Sequence, residues 1–132
     1  MAINLFLQCF ETELMIYSVN NAIKQLDILR NKPVLVTGTL SFLFEDVSLN
    51  HFPQKEYCNV LHSSLWIEID RDILKFDRRV MKKWHTKKII VEGILYKADS
   101  FFGGTGHMCL WSASIIATEI TLLKDSTISK IG

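Results

Sequence analysis

The sequence predicts a mainly-β domain with two helices, in which five strands close into a small barrel. Three observations lead there. Stretches of period-two alternation, clearest over residues 34–45, 64–70 and 87–98, outnumber the two stretches of helical period. Gly38 interrupts the longest alternating run and reads as a bulge or a sharp bend, which would let one strand serve two sides of a barrel. The second helical stretch, 71–85, falls once between the third and fourth strands. A doubly wound parallel sheet would need strand and helix to alternate repeatedly.

In chain order, residues 1–17 form an apolar segment carrying Glu11 and Glu13, readable as a first strand or as a docked arm. Ser18 is placed to cap a helix over 19–29, where Val19, Ala22, Ile23, Leu26 and Leu29 recur at helical spacing. Pro33 ends it by disfavouring helical backbone at Lys32. A long strand follows over 34–45, then a short one over 47–52 and a polar loop containing Pro53. Leu65, Ile67 and Ile69 give the third strand an apolar face. Over 71–85, Ile73, Phe76, Val80 and Trp84 line one side of a helix and the basic residues the other. The fourth strand spans 87–98. A glycine-rich hairpin loop, Phe102 to His107, leads to a last strand over 109–123, and residues 124–132 form a polar tail expected to fray.

The 132 residues suit one domain spanning the whole chain, and 48% hydrophobic against 22% charged residues is a globular composition. The formal charge of +1 excludes a uniformly basic nucleic-acid binder. Three cysteines (Cys9, Cys58, Cys109) in no metal-ligand spacing read as reduced thiols. No basic residue precedes Lys24, so the apolar start lacks the pattern of a secretion signal, and no apolar run reaches bilayer-spanning length. The expected compartment is the cytoplasm.

A five-stranded barrel with a bent first strand and one helix between strands three and four is the OB arrangement. The residues also resemble a family of small bacterial OB-like domains, largely uncharacterised. The resemblance lies in Ser18-Val19-x-x-Ala22, in Pro33-Val-Leu-Val-Thr-Gly38-Thr-Leu-Ser-Phe42 and in Leu65-Trp-Ile-Glu-Ile69. It continues through Ile89-Ile-Val-Glu-Gly-Ile-Leu95 and Gly106-His-Met108, covering about residues 18–123. Most of these are packing and bend positions, so the resemblance implies a fold and no activity.

Splitting the chain by charge gives the strongest local signal. Residues 71–88 hold eight Lys and Arg against two acids, and the remainder carries seven basic and twelve acidic residues. On the expected helix Lys75, Arg78, Arg79, Lys82 and Lys83 cluster within about a third of the circumference. That pattern suits a solvated face first, and after it a footprint for an acidic protein partner or for phosphate backbone. Phe42, Phe44 and Trp66 are candidates for contacts on the barrel face. The acids around them (Glu45, Asp46, Glu56, Glu68, Asp70) form an acidic rim that disfavours phosphate. The loop Gly103-Gly104-Thr105-Gly106 lacks the lysine and the following helix of a phosphate cradle. The four histidines have no metal-pair spacing; a set of Cys58, His62, His107 and Cys109 can be drawn but has little to support it. No nucleophile, paired catalytic carboxylates or triad stands out.

These readings point to a non-enzymatic protein-binding module without metal or cofactor, of the small immunity or adaptor type that occludes a partner. The partner is expected to be a protein with an acidic surface, and no membrane is involved. The alternative is a single-stranded nucleic-acid-binding OB-fold protein.

Overall fold

The computed structural model describes residues 15–98, 104–105 and 110–123. It is mainly β, with six strands in one sheet: β1 (Ile16–Ser18), β2 (Pro33–Leu43), β3 (Asp46–Asn50), β4 (Ser64–Glu68), β5 (Lys88–Lys97) and β6 (Ala113–Leu122). The helices are short: α1 (Val19–Lys24), α2 (Leu26–Leu29), α3 (Val60–Ser63) and α4 (Arg78–Trp84), with a 3-10 turn at Gln54–Glu56. None of the described helices is long and apolar enough to cross a membrane.

β2 organises the sheet. Its residues 33–39 pair antiparallel with β5, and residues 39–43 pair antiparallel with β3. β3 continues to β4, β4 runs parallel to β6, and β6 pairs antiparallel with β5. The succession of pairings that leaves β2 through β3 therefore returns to it through β5. Alternation along the strands turns Val36, Leu40, Leu49, Leu65, Ile89 and Ile115 inward, each fully buried. Burying a side chain of this size stabilises the fold by about 1.5–3 kcal/mol.

Several expectations need correction. Among the described residues the sheet has six strands, the five expected (β2–β6) and one more. The additional one is β1, at the end of the N-terminal segment, whose parallel pairing with residues 35–37 satisfies the second edge of β2. Residues 1–14 lie outside the described residues, as does the tail 124–132. Ser18 caps α1 as expected, its Oγ accepting the Asn21 N–H, but the helix is interrupted at Gln25 and resumes as α2. Gly38 carries no register shift. It is instead where β2 passes close to β3, and a Cβ there would lie 2.7 Å from the Asn50 carbonyl oxygen. The bulge falls between Glu92 and Gly93 of β5, where a Cβ on Gly93 would collide with the Ile116 carbonyl oxygen. Of the glycine-rich loop, Gly104 and Thr105 are described, and the Thr105 N–H and C=O pair with Trp111; the rest of the expected hairpin loop lies outside the described residues.

The basic helix is also shorter than its periodicity predicts. Two aspartates intervene. Asp70 Oδ1 accepts the Asp72 N–H, and its carbonyl takes the N–H groups of Ile73 and Leu74, closing a local turn. Asp77 then acts as N-cap, its carboxylate accepting the Arg79 N–H, so α4 starts at Arg78. Lys75 consequently precedes the helix, and the five cations do not share one helical face. Met81 anchors α4 in the core, with Phe76, Trp84 and Ile120 partly buried around it.

Candidate functional site

β2 and β3 are joined by a two-residue turn, because Leu43 faces Asp46 in the register and leaves only Phe44 and Glu45 between the strands. Turns of this length are ordinarily occupied by Gly, Asn or Asp, which relieve backbone strain. Here the tip carries Phe44, 95% exposed, beside Leu43 at 54%. Neither turn chemistry nor the core accounts for a phenyl ring in that position.

Behind the tip is a groove of about 420 Å³ between the β2–β3 hairpin, β4 and the segment leading into α4. Phe42 and Phe76 form its wall, with ring centroids 5.8 Å apart and planes at 51°. The Arg78 guanidinium lies 5.5 Å over the Phe42 ring, and that of Arg71 lies 5.6 Å over Phe76. Two cations thus clasp an aromatic pair, each contact contributing about 0.5–1 kcal/mol at an exposed site. Trp66 lines the opposite side, projecting from β4 away from the buried Leu65 and Ile67. Its ring sits 4.9 Å from that of Trp111, which is fixed by an indole N–H donated to Ser64 Oγ at 2.9 Å.

Hydrogen bonds hold this wall from behind. The Phe42 N–H donates to His85 Nδ1 at 3.0 Å, just beyond the end of α4. The Leu40 N–H donates to the Lys87 carbonyl, and the Thr86 N–H to the Leu40 carbonyl. Thr86 adopts a positive φ of 71° in making this connection.

The structure brings Phe42, Phe44, Trp66 and Arg78 to one groove, so the aromatic candidates and one basic candidate share a site. Arg79, Lys82 and Lys83 are exposed on α4, and Lys75 borders a smaller hollow with Phe76, Trp84 and Ile120. Arg71 and Phe76 were missed as site residues. Phe76 reads in the sequence as part of the core stripe, and Arg71 as one charge among eight. A signal was nonetheless present, because an aromatic residue stands between two arginines where Asp70 and Asp77 break the helix.

Of the acids of the expected rim, Glu45 stands in the β2–β3 turn beside Phe44. Asp46 is engaged by Ser48 Oγ, Glu56 by His51 and Asp70 by its own turn. Among the described residues lining the groove, Glu68 is the one acid, and its Oε1 accepts from the Tyr96 hydroxyl at 3.4 Å. Of the drawn metal set, His107 and Cys109 lie outside the described residues, while Cys58 is exposed and His62 Nδ1 contacts Asn59 Oδ1.

No protein family matches the sequence, and no curated protein does either. Among solved structures, the chain is similar to an OBody, AM2EP06, bound to hen egg-white lysozyme. The identity is 14% and the TM-score 0.43, over 73% of this chain and 83% of that one. It is also similar to asparaginyl-tRNA synthetase from Pyrococcus horikoshii complexed with asparaginyl-adenylate, at 13% identity and a TM-score of 0.41. That likeness covers 73% of this chain but only 20% of the synthetase. At these TM-scores neither likeness bears on function.

Proposed function

We propose that the chain is a non-catalytic protein-binding module of the immunity or adaptor type, built on a five-stranded OB-like barrel, which occludes its partner through the β2–β3 hairpin tip and the groove behind it. The barrel reading is supported by the pairing succession that returns to β2 and by the parallel β4–β6 pair within it. The single observation that carries the functional reading is Phe44. An almost fully exposed ring beside Leu43, over a groove bordered by Arg71 and Arg78, combines the residue types that dominate protein-binding hot spots. Such a tip suits insertion into an apolar pocket of the partner. The two guanidiniums, with Arg79, Lys82 and Lys83 beyond them, suit an acidic border around that pocket.

A photocrosslinking side chain at position 44, introduced in cells, would identify the partner for purified binding measurements. Phe44→Ala is expected to weaken binding about tenfold or more while changing stability by less than about 0.5 kcal/mol in urea unfolding. Arg78→Glu is expected to weaken it further. A purified complex unaffected by both substitutions would overturn the reading.

Nucleic acid is the runner-up, favoured by the alternation of rings and guanidiniums. Polarisation of a labelled oligonucleotide at two salt concentrations separates the two. Saturable, salt-sensitive binding that is lost in Phe44→Ala would replace the protein partner with a single strand.

A further inference from the structure

A second cavity, of about 560 Å³, opens beside the outer face of β2 and shares no lining residue with the groove. Leu40 points inward and is fully buried, so its neighbours Thr39 and Ser41 face outward. The register aligns Asn50 of β3, Thr39 of β2 and Lys88 of β5 in one row across three strands. The segment 51–57 walls the row, bringing in Phe52 and Tyr57. The Lys88 ammonium lies 5.3 Å over the Phe52 ring.

Hydrogen bonding divides these groups sharply. The side-chain acceptors of Asn50 and His51 are taken: Asn50 Oδ1 accepts from Ser64 Oγ at 2.7 Å, and His51 Nδ1 accepts the Asn20 N–H at 3.2 Å while Nε2 contacts Glu56. The Asn50 amide N–H groups are also spent, on Ser41 Oγ and Ser48 Oγ. The donors that remain are the Lys88 ammonium, the hydroxyls of Thr39, Ser41, Tyr57 and Thr86, and the Gln54 amide, which also brings an acceptor. None of these donates to, or ion-pairs with, another group among the described residues. No carboxylate lines the cavity among the described residues. Burial, and then the Asp46 charge, raise the pKa of Tyr57, which keeps its hydroxyl a protonated donor.

A cavity of small-molecule size with a cation and four unspent hydroxyl donors calls for a ligand that brings acceptors and negative charge. We propose that this cavity binds a small molecule bearing a carboxylate or phosphate, its anionic oxygens held by Lys88 and by the hydroxyls of Thr39, Ser41 and Tyr57. Phe52 and Pro53 supply an apolar wall for the rest of that molecule. The proposal is independent of the groove and its partner.

Amide NMR titrations of the full chain with inorganic phosphate, and separately with succinate, at constant ionic strength provide the test. Saturable shifts at Thr39, Ser41, Tyr57 and Lys88 are expected with at least one of them. The better probe tells phosphate from carboxylate. Lys88→Gln should weaken that binding roughly ten- to a hundredfold, the effect of losing a charge-assisted hydrogen bond. Thr39→Val, a milder change, should weaken it several-fold with the rest of the spectrum intact. Absence of saturable shifts with both anions at millimolar concentration would overturn the proposal. So would saturable binding that both variants leave unchanged.

Discussion

Within β2, residues 35–37 lie between two strands, β1 and β5, whereas residues 40–42 lie between β3 and the segment that leaves α4. In the first part both edges are backbone ladders, and Val36 is fully buried. In the second, one edge consists of two backbone bonds to residues 86 and 87 and then a side chain, His85, which accepts the Phe42 N–H. Both cavities border this end of β2, one at Thr39, Leu40 and Ser41 and the other at Phe42 and Leu43. A strand completed by side chain and turn leaves room for a concavity that a continuous ladder would fill. The same substitution of partners makes this half the easier one to open.

The sharpest way to break the contrast is at the junction. Gly38→Ala would place a Cβ 2.7 Å from the Asn50 carbonyl oxygen and 2.8 Å from Leu49 Cγ, so β3 must shift away from the second half. A loss of about 2–3 kcal/mol is expected in urea unfolding, the upper range for overpacking. Amides of residues 40–43 should gain more exchange than that of Val36. A loss below about 0.5 kcal/mol would mean that β3 yields freely there.

A smaller effect is expected from His85→Ala, which leaves the Phe42 N–H without its acceptor at a cost of about 1–2 kcal/mol. Hydrogen exchange should accelerate at Phe42 and not at Val36. Equal acceleration at both would show that the halves open together.

The smallest expected effect concerns Tyr57, beside the outer cavity. Burial, and then the nearby Asp46 charge, raise its pKa above the ordinary value of 10.0. The fold therefore favours the protonated phenol. Its contribution is complete below pH about 10 and is lost as the pH rises through the higher folded value. Melting temperatures of the wild type should fall across that alkaline window more than those of Tyr57→Phe. Parallel curves would mean that the phenol is not coupled to folding.

Much of this architecture was legible because it depends on alternation. The run from Val34 onward announces β2, the spacing of Leu65 and Ile67 announces β4, and Ser18 caps α1 as its chemistry suggests. The bulge could not be placed from composition: Gly38 and Gly93 look alike in sequence, each lies against a carbonyl oxygen of a neighbouring strand, and only the register shift at Gly93 distinguishes them. The basic helix was overextended because Ile73 fits the helical period, yet Ile73 is 52% exposed and the aspartates at 70 and 77 spend their side chains on local backbone. For the site, the residue types were visible and their meeting was not. Phe42 and Arg78 are far apart in sequence and touch only because the segment between β4 and α4 doubles back over the β2–β3 hairpin.

The Trp66–Trp111 pair equips the molecule with an optical probe of its own groove. Rings at 4.9 Å are close enough to couple electronically, and one of the two borders the groove while its mate is pinned by Ser64. Anything that seats against Trp66 alters the surroundings of half of a coupled chromophore. The third tryptophan, Trp84, stands apart on α4. Near-ultraviolet dichroism and emission of the unlabelled protein should therefore report occupancy, with Trp66→Phe as the silent control.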